Sequence, residues 1–232
     1  MSRARTLRPR SSVPGRPGTR WKCSPPVQER SRETIDRFAA AAEDLLRTQP
    51  FEQVTVQDIV KAAGRPIGSF YARFASKEAL LPYLYQRYHD GLEALYAARF
   101  RRVDWEGIEF EDAVAEVVDL LLGLYTERRW LIRALALFAR MHPEALPSDL
   151  VEQRRRVFEQ PVDALLRHRD RIRHADPASA IRFGVFFVSS VARDKLLFEE
   201  APHARVTPMT RAALRGELIR SFFAYLSSEP PR

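Results

Sequence analysis

The chain lacks several residue types and patterns that define other classes of protein. It has one cysteine in 232 residues, Cys23, so no intrachain disulfide can form, and such usage is typical of a reducing cytoplasm. Only 9 residues are glycine, and no glycine-rich phosphate loop, G-x-S-x-G motif or zinc spacing occurs. Arginines interrupt the most apolar stretches, which excludes a bilayer-spanning run of about 18 apolar residues.

Signals for catalysis and metal binding are also missing. The five histidines are scattered without the spacing of metal ligands on one helix face. The paired carboxylates, such as Glu199-Glu200, fall where solvated helix ends are expected rather than where an acid–base couple would form. We therefore expect no catalytic residues, no metal, no cofactor and no membrane partner.

Positive charge is present but unevenly placed. The net charge is +8, and residues 1–32 hold nine Lys or Arg and one acid, so the remaining 200 residues are neutral overall. Residues 1–27 are also rich in proline and poor in apolar side chains, which predicts a disordered basic arm. The arm either follows a DNA minor groove, or is a tail of little effect, or precedes the true start of translation.

The stretch from Thr55 to Lys77 has the pattern of two short helices separated by a glycine. Thr55 suits an N-cap before an apolar face, and Gly64 falls where the first helix must end in the left-handed region. Pro66 suits the first turn of the next helix, and Phe70 and Phe74 lie four residues apart on one buried face. Helix, turn and second helix describe a helix-turn-helix, with an ordinary helical hairpin as the alternative.

The run A-A-G-x-x-x-G-S-F-Y-x-x-F-x-S-K-E-x-L, Ala62 to Leu80, resembles the recognition segment of TetR-like bacterial transcription regulators. With the preceding helix the resemblance covers about residues 28–84. Arg65 and Pro66 stand where the family usually has a valine and a serine. Ile67 replaces a usually polar or basic residue, and either contacts a thymine methyl or only packs. We predict DNA contacts from Thr55, Arg65, Pro66, Ile67, Gly68, Ser69, Tyr71, Arg73 and Lys77, with Tyr71 and Lys77 donating to phosphate oxygens.

Apolar periodicity predicts helices along the rest of the chain, and no strand alternation of any length occurs. The expected fold is all-α with about nine helices. The expected parts are a basic arm at 1–27, a helix-turn-helix domain at 28–75, an effector-binding and dimerisation body at 76–226, and a tail at 227–232. We expect Pro161 to kink or split its helix and Asp176-Pro177 to open another. The basic run at 154–156 indicates a solvated helix face.

The family resemblance implies a double-stranded DNA partner, a homodimer and a small effector in the body. Candidate effector-pocket residues, each of which could instead be core, are Tyr125, Trp130, Arg133, Leu137, Phe138 and Phe187. The resemblance places the dimer interface on the last two long helices. Its candidate residues, which could alternatively close the monomer core, are Ile181, Gly184, Val185, Val188, Ala192, Leu196, Leu214, Leu218 and Phe222.

The sequence thus favours a ligand-responsive homodimeric repressor that is cytoplasmic and associated with the nucleoid. One alternative is an effector-independent regulator whose body only dimerises. Another, of a different class, is an all-helical enzyme or carrier with a vestigial head.

Overall fold

The computed structural model describes residues 29–146 and 149–229, and the predicted basic arm at 1–27 lies outside them. This part of the chain is all-α, as predicted, with ten α-helices where about nine were expected. The helices are α1 (Glu29–Leu45), α2 (Val56–Ala62), α3 (Ile67–Tyr71), α4 (Leu81–Phe100), α5 (Phe110–Glu127), α6 (Arg129–Met141), α7 (Leu150–Leu165), α8 (Pro177–Leu197), α9 (Pro202–Val206) and α10 (Arg211–Ser227). None of the helices in the described ranges is both long and apolar enough to cross a bilayer.

The predicted N-cap at Thr55 and the predicted left-handed turn at Gly64 are confirmed. The hydroxyl of Thr55 accepts a hydrogen bond from the backbone N–H of Asp58, and the Asp58 carboxylate accepts one from the backbone N–H of Thr55. This reciprocal capping box satisfies two N–H groups that the first turn of α2 would otherwise leave unpaired. Gly64 has a φ of 61°, so it supplies the left-handed turn between α2 and α3 at little steric cost.

Three phenylalanines hold the head together. Phe38 of α1, Phe70 of α3 and Phe74 just after α3 are each at most 1% exposed. The Phe38 ring lies edge-on to Phe70 at 5.2 Å and to Phe74 at 6.4 Å between centroids. Such edge-to-face pairs add to the stabilisation from burial itself, so α3 is anchored firmly through one side.

The buried core consists of two clusters. One joins the head to the start of α4 and to one face of α6, through residues such as Leu84, Leu131 and Phe138. The other is built from α4, α5, α7, α8 and α10 and forms the body. Because α4 contributes to both clusters, it links the head mechanically to the body.

The stripe predicted to form the dimer interface lies inside the body, so that prediction is wrong for its residues. All nine are buried within one chain, among them Ile181, Val185 and Val188 at 0% exposed. A Cβ added to Gly184 would lie 1.8 Å from the ring of Phe222, so this glycine allows α8 and α10 of the same chain to approach. The alternative, that the stripe closes the monomer core, is correct.

The helix boundaries of the body differ in part from expectation. Pro161 does not split α7, which continues to Leu165 and then passes into a 3₁₀ segment at Leu166–Arg171, and the alternative of a kink at Pro161 stays a prediction. The short helix α9 was not predicted, and the last helix begins at Arg211 after an N-cap by Thr210. By contrast Asp176 caps α8 as predicted, its carboxylate accepting from the N–H of Ser179.

Candidate nucleic-acid interface and ligand cavity

The outer side of α3 is open to solvent. Ile67 is 45% exposed and Tyr71 is 55% exposed, although both are large and apolar or aromatic. Gly68 lies between them, and a Cβ placed on it would meet nothing within 4 Å. The absence of a side chain at Gly68 on this exposed surface would let the backbone of α3 come close to base edges.

Hydrogen bonds within α3 use the polar groups of two predicted contacts. The Ser69 hydroxyl donates to the carbonyl of Pro66 at 2.8 Å, and the Arg73 guanidinium donates to the carbonyl of Ser69 at 2.8 Å. Pro66 itself is the exposed N-cap of α3 rather than its first helical residue. The contacts of these three residues with DNA stay a prediction, since Arg73 has further N–H donors and Ser69 has acceptor capacity left.

Two other predicted contacts at the edge of the head also have intramolecular roles. The Thr55 hydroxyl both accepts from Asp58 and donates to its carboxylate at 2.6 Å. These hydrogen bonds from Thr55 lower the pKa of the Asp58 carboxyl below its usual range. Arg65 is partly buried, with its guanidinium 3.9 Å from the carboxylate of Glu33.

Lys77 does not have the role that the sequence suggested. Its ammonium donates to the carbonyls of Phe51 at 2.9 Å, Glu52 at 3.2 Å and Val54 at 2.8 Å. It also lies 4.8 Å from the centre of the Phe51 ring. An ammonium has three hydrogens, so these carbonyls leave none for a phosphate. The predicted phosphate contact is therefore replaced by a structural one that fastens the loop before α2 to the loop after α3.

The head has no excess of positive charge once the N-terminal arm is set aside. Residues 33–80 contain six Lys or Arg and seven Asp or Glu. The nine cations at residues 1–32 consequently provide the whole positive balance next to the helix-turn-helix.

A cavity of about 320 Å³ lies between α4, α5, α6, α7 and α8. Of the six residues predicted to line an effector pocket, only Tyr125 lines it. The other lining residues are Tyr85, Tyr88, His89, Ile132, Leu135, Ala136, Ala139, Arg140, Leu146, Leu150, Arg154 and Arg193.

The five other predicted pocket residues lie elsewhere for identifiable reasons. Arg133 donates to the carbonyl of Leu197 at 2.5 Å and so caps the end of α8. Phe138 is buried in the cluster that joins head and body, and Trp130 packs against the same cluster. Phe187 packs against the body core, and Leu137 of α6 is not among the cavity residues.

Three of the four aromatic side chains that line the cavity come from one face of α4, and the fourth, Tyr125, comes from α5. Tyr85, Tyr88 and His89 recur at the spacing of a helix face, and the rings of Tyr85 and His89 are 4.4 Å apart. Burial, together with the nearby charge of Arg154, lowers the pKa of His89 to about 4, so its imidazole is neutral at neutral pH. Burial raises the pKa of the Tyr88 and Tyr125 phenols above their ordinary value, and both are protonated there. The spacing was visible in the sequence, but it is equally typical of core.

An apolar surface remains on the outside of α8. Phe183 is 55% exposed and Phe186 is 59% exposed, on the side of the helix opposite the buried stripe. The Phe183 ring lies 5.3 Å from that of Tyr225, which connects this surface to α10.

The head is similar in sequence to a known family of proteins. Residues 39–84 match the family described as bacterial regulatory proteins, tetR family. Over 113 residues the chain is 27% identical to YwcC of Bacillus subtilis, which is named as an uncharacterised HTH-type transcriptional regulator. That match spans 47% of this chain and about half, 51%, of YwcC.

Solved structures share the whole fold at low sequence identity. A protein of Mesorhizobium loti assigned to the TetR family of transcriptional regulators is 16% identical, with a TM-score of 0.59 over 86% of this chain and 98% of its own. PfmR, a TetR-family transcriptional regulator of Thermus thermophilus, is 20% identical, with a TM-score of 0.53 over 85% and 100%. These similarities confirm the predicted all-α architecture with an N-terminal helix-turn-helix head.

Proposed function

We propose that this chain, whose head is similar to the tetR family of bacterial regulatory proteins, is a transcription repressor that binds double-stranded DNA as a homodimer and releases it when a small ligand binds. The observation that carries the proposal is the exposed outer side of α3. A helix that is anchored by Phe70 on one side and leaves Ile67, Gly68 and Tyr71 in solvent has a surface that needs a partner.

In this proposal α3 enters the major groove. Ile67 contacts base edges or thymine methyls, and Gly68 lets the backbone approach closely. The Tyr71 hydroxyl donates to a phosphate, while the cations of the N-terminal arm supply most of the sequence-independent attraction. The arm is needed because the charge of residues 33–80 gives no net attraction to DNA.

A five-residue recognition helix reads few base pairs, so a second copy of the chain is the expected partner. Each dimer would place two α3 helices in major grooves about 34 Å apart on a near-palindromic operator. The exposed rings of Phe183 and Phe186, which adjoin the partly buried Tyr225, form an apolar surface on the last long helices that a partner chain could cover. Its aromatic character is typical of the buried centre of an interface.

Communication between ligand and DNA would run through α4. Its first turns pack in the head cluster, and its middle carries Tyr85, Tyr88 and His89 to the cavity. A ligand that binds one position of α4 more tightly than another shifts the equilibrium towards that position, and with it the separation of the two α3 helices. The difference in affinity sets the size of the shift. Release of the operator on ligand binding would make the protein a repressor.

The DNA-binding step can be tested by fluorescence anisotropy with DNA from the promoter region of the gene that encodes this chain. We expect salt-dependent binding that Tyr71→Ala weakens on all sequences and that Ile67→Ala weakens mainly on the preferred one. Val151→Ala, at an 80% exposed position on α7 far from the head in sequence, is the control and should change neither. Equal losses in both head variants on every sequence would contradict the assigned roles, and no salt-dependent retention would refute DNA binding.

The dimer is tested separately by analytical ultracentrifugation. Phe183→Glu with Phe186→Glu should convert dimers to monomers, because two carboxylates cannot be buried unpaired between chains. Val151→Glu introduces one carboxylate at an exposed apolar site outside the proposed interface and should leave the dimer intact. A double variant that sediments as a dimer would rule out this surface.

A further inference from the structure

The cavity in the body contains positive charge without matching negative charge. Arg140, Arg154 and Arg193 line it, and no Asp or Glu is among its lining residues in the described part of the chain. His89 adds no positive charge at neutral pH, since burial keeps its imidazole unprotonated. The cavity therefore has arginine as its charged component and aromatic or aliphatic side chains as most of its wall.

The three consecutive arginines of α7 differ in a way that singles out one of them. Arg155 pairs with Glu152 at 3.0 Å, and Arg156 reaches Glu93 at 3.3 Å. Across residues 29–146 and 149–229, Arg154 has no such carboxylate partner, and its guanidinium instead donates to the Tyr85 hydroxyl at 3.2 Å in the cavity wall. Of the basic run 154–156, which was predicted to be a solvated face, Arg154 therefore lines the cavity instead.

Arg193 of α8 shares two of these features with Arg154. It lines the same cavity and forms no carboxylate pair within the described ranges, whereas Arg182 on the same helix is held by Glu159 at 3.0 Å. Arg154, Arg193 and Tyr125 all line this cavity, and the charges of the two arginines limit the rise in the pKa of the Tyr125 phenol.

Guanidinium groups bind carboxylates and other oxyanions through paired, charge-assisted hydrogen bonds. The phenols of Tyr88 and Tyr125, which burial keeps protonated, can add neutral donors. Ile132, Leu135 and Ala136 of α6 also line the cavity and suit an apolar group. A space of about 320 Å³ is at the small end of ligand cavities, which favours a compact molecule.

We propose that the ligand of this cavity is a compact organic anion, with a carboxylate held by Arg154 and Arg193 and an aromatic or aliphatic body against the α6 wall. This inference rests on the proposed ligand response for its regulatory meaning. The binding itself is a property of the body and does not depend on the head or on DNA.

The charge requirement can be tested with probes of one shape. Calorimetric titration of the full chain with 1-naphthoate, 1-naphthamide and 1-naphthylmethylamine compares an anion, a neutral amide and a cation on the same ring system. Octanoate and octanamide repeat the comparison with an aliphatic body. We expect the carboxylate of either pair to bind about tenfold or more tightly than its amide, and the amine to be weakest.

Substitutions identify the residues responsible. Arg154→Gln and Arg193→Gln should each weaken carboxylate binding about tenfold or more while leaving amide binding unchanged. Arg154→Lys, which keeps the charge, should recover part of the loss. Arg155→Gln is the matched control, since it removes the adjacent arginine whose partner is Glu152 on the surface, and it should bind like the original chain. Circular dichroism of each variant establishes that the helices are intact.

The proposal is overturned if amides bind as tightly as carboxylates, if neither carboxylate binds, or if Arg155→Gln loses as much affinity as Arg154→Gln. DNA anisotropy is measured in parallel and answers a different question. Carboxylate binding without operator release would support the anion site and contradict the ligand-responsive repressor. If the original chain did not bind DNA, the proposed regulatory function would be contradicted, while the calorimetric evidence for an anion site would be unaffected.

Discussion

Lys77 provides the sharpest test of how the head is built. The sequence assigns its ammonium to a DNA phosphate, whereas the structure directs it to the carbonyls of Phe51, Glu52 and Val54. The substitution Lys77→Met keeps the length and apolar stem of the side chain but removes all three donors. It therefore separates a phosphate contact from a loop-fastening role.

The expected cost follows from the hydrogen bonds that the substitution removes. Hydrogen bonds from a charged donor contribute about 1.5–3 kcal/mol each, but these three share one ammonium, and solvent can replace the one to Glu52, which is exposed. We therefore expect the free energy of unfolding to fall by about 2–3 kcal/mol in total. In urea this would lower the midpoint of unfolding by about 1 M for a chain of this size.

Two measurements on the same variant distinguish the roles. Urea unfolding followed by circular dichroism should show the loss of stability. The slope of log affinity for DNA against log salt concentration should stay unchanged, because no phosphate contact is removed. Lys61→Met, at an exposed position on α2, is the control for removing a lysine from the head. An unchanged unfolding midpoint, with a salt slope lowered by about 0.9 per protomer, would refute the loop-fastening role and restore the phosphate contact.

Other regions of the chain give further expectations. Deletion of residues 2–27 removes seven cations and should lower the salt slope of DNA binding by about 0.9 for each phosphate that the arm neutralises; an unchanged slope would mean that the arm is inert. Gly184→Ala places a methyl group 1.8 Å from the ring of Phe222 and should lower thermal stability by about 3 kcal/mol, whereas Gly91→Ala, with open space around it, should raise it by up to about 1 kcal/mol. Stability should also depend on His89. Its pKa is about 4 in the folded chain and ordinarily 6.5, so the unfolded chain takes up a proton first as the pH falls. The contribution of His89 to the free energy of unfolding is fully present above pH 6.5 and is lost, by up to about 3 kcal/mol, as the pH falls towards 4. Chemical unfolding at a series of pH values should show this loss in the original chain and not in His89→Gln.

The head could be predicted closely because its signals are local. Thr55 directly precedes the apolar face of α2, Gly64 marks one turn, and Phe70 and Phe74 are four residues apart and both buried. Each depends on backbone geometry over a few residues, so spacing alone identifies it. The Asp176 cap of α8 follows from the same reasoning.

The body shows where such reasoning ends. The stripe of α8 that includes Ile181 and Val185 correctly indicates a buried face, but periodicity does not tell whether the same chain or a second one covers it. Likewise Tyr85, Tyr88 and His89 have the spacing of core residues, and only the arrangement of five helices leaves a cavity beside them.

The sequence by itself determined the all-helical fold, the helix-turn-helix and the caps at Thr55 and Asp176, because these depend on the side chains of near neighbours. Tertiary structure decided the partners of the charged groups. The carbonyls that hold Lys77 come from residues 23–26 positions earlier, and Arg154 meets Tyr85 across 69 positions of sequence. An ammonium or guanidinium binds whatever acceptor the fold brings within about 3 Å, and that acceptor is chosen by the packing of helices rather than by the order of residues.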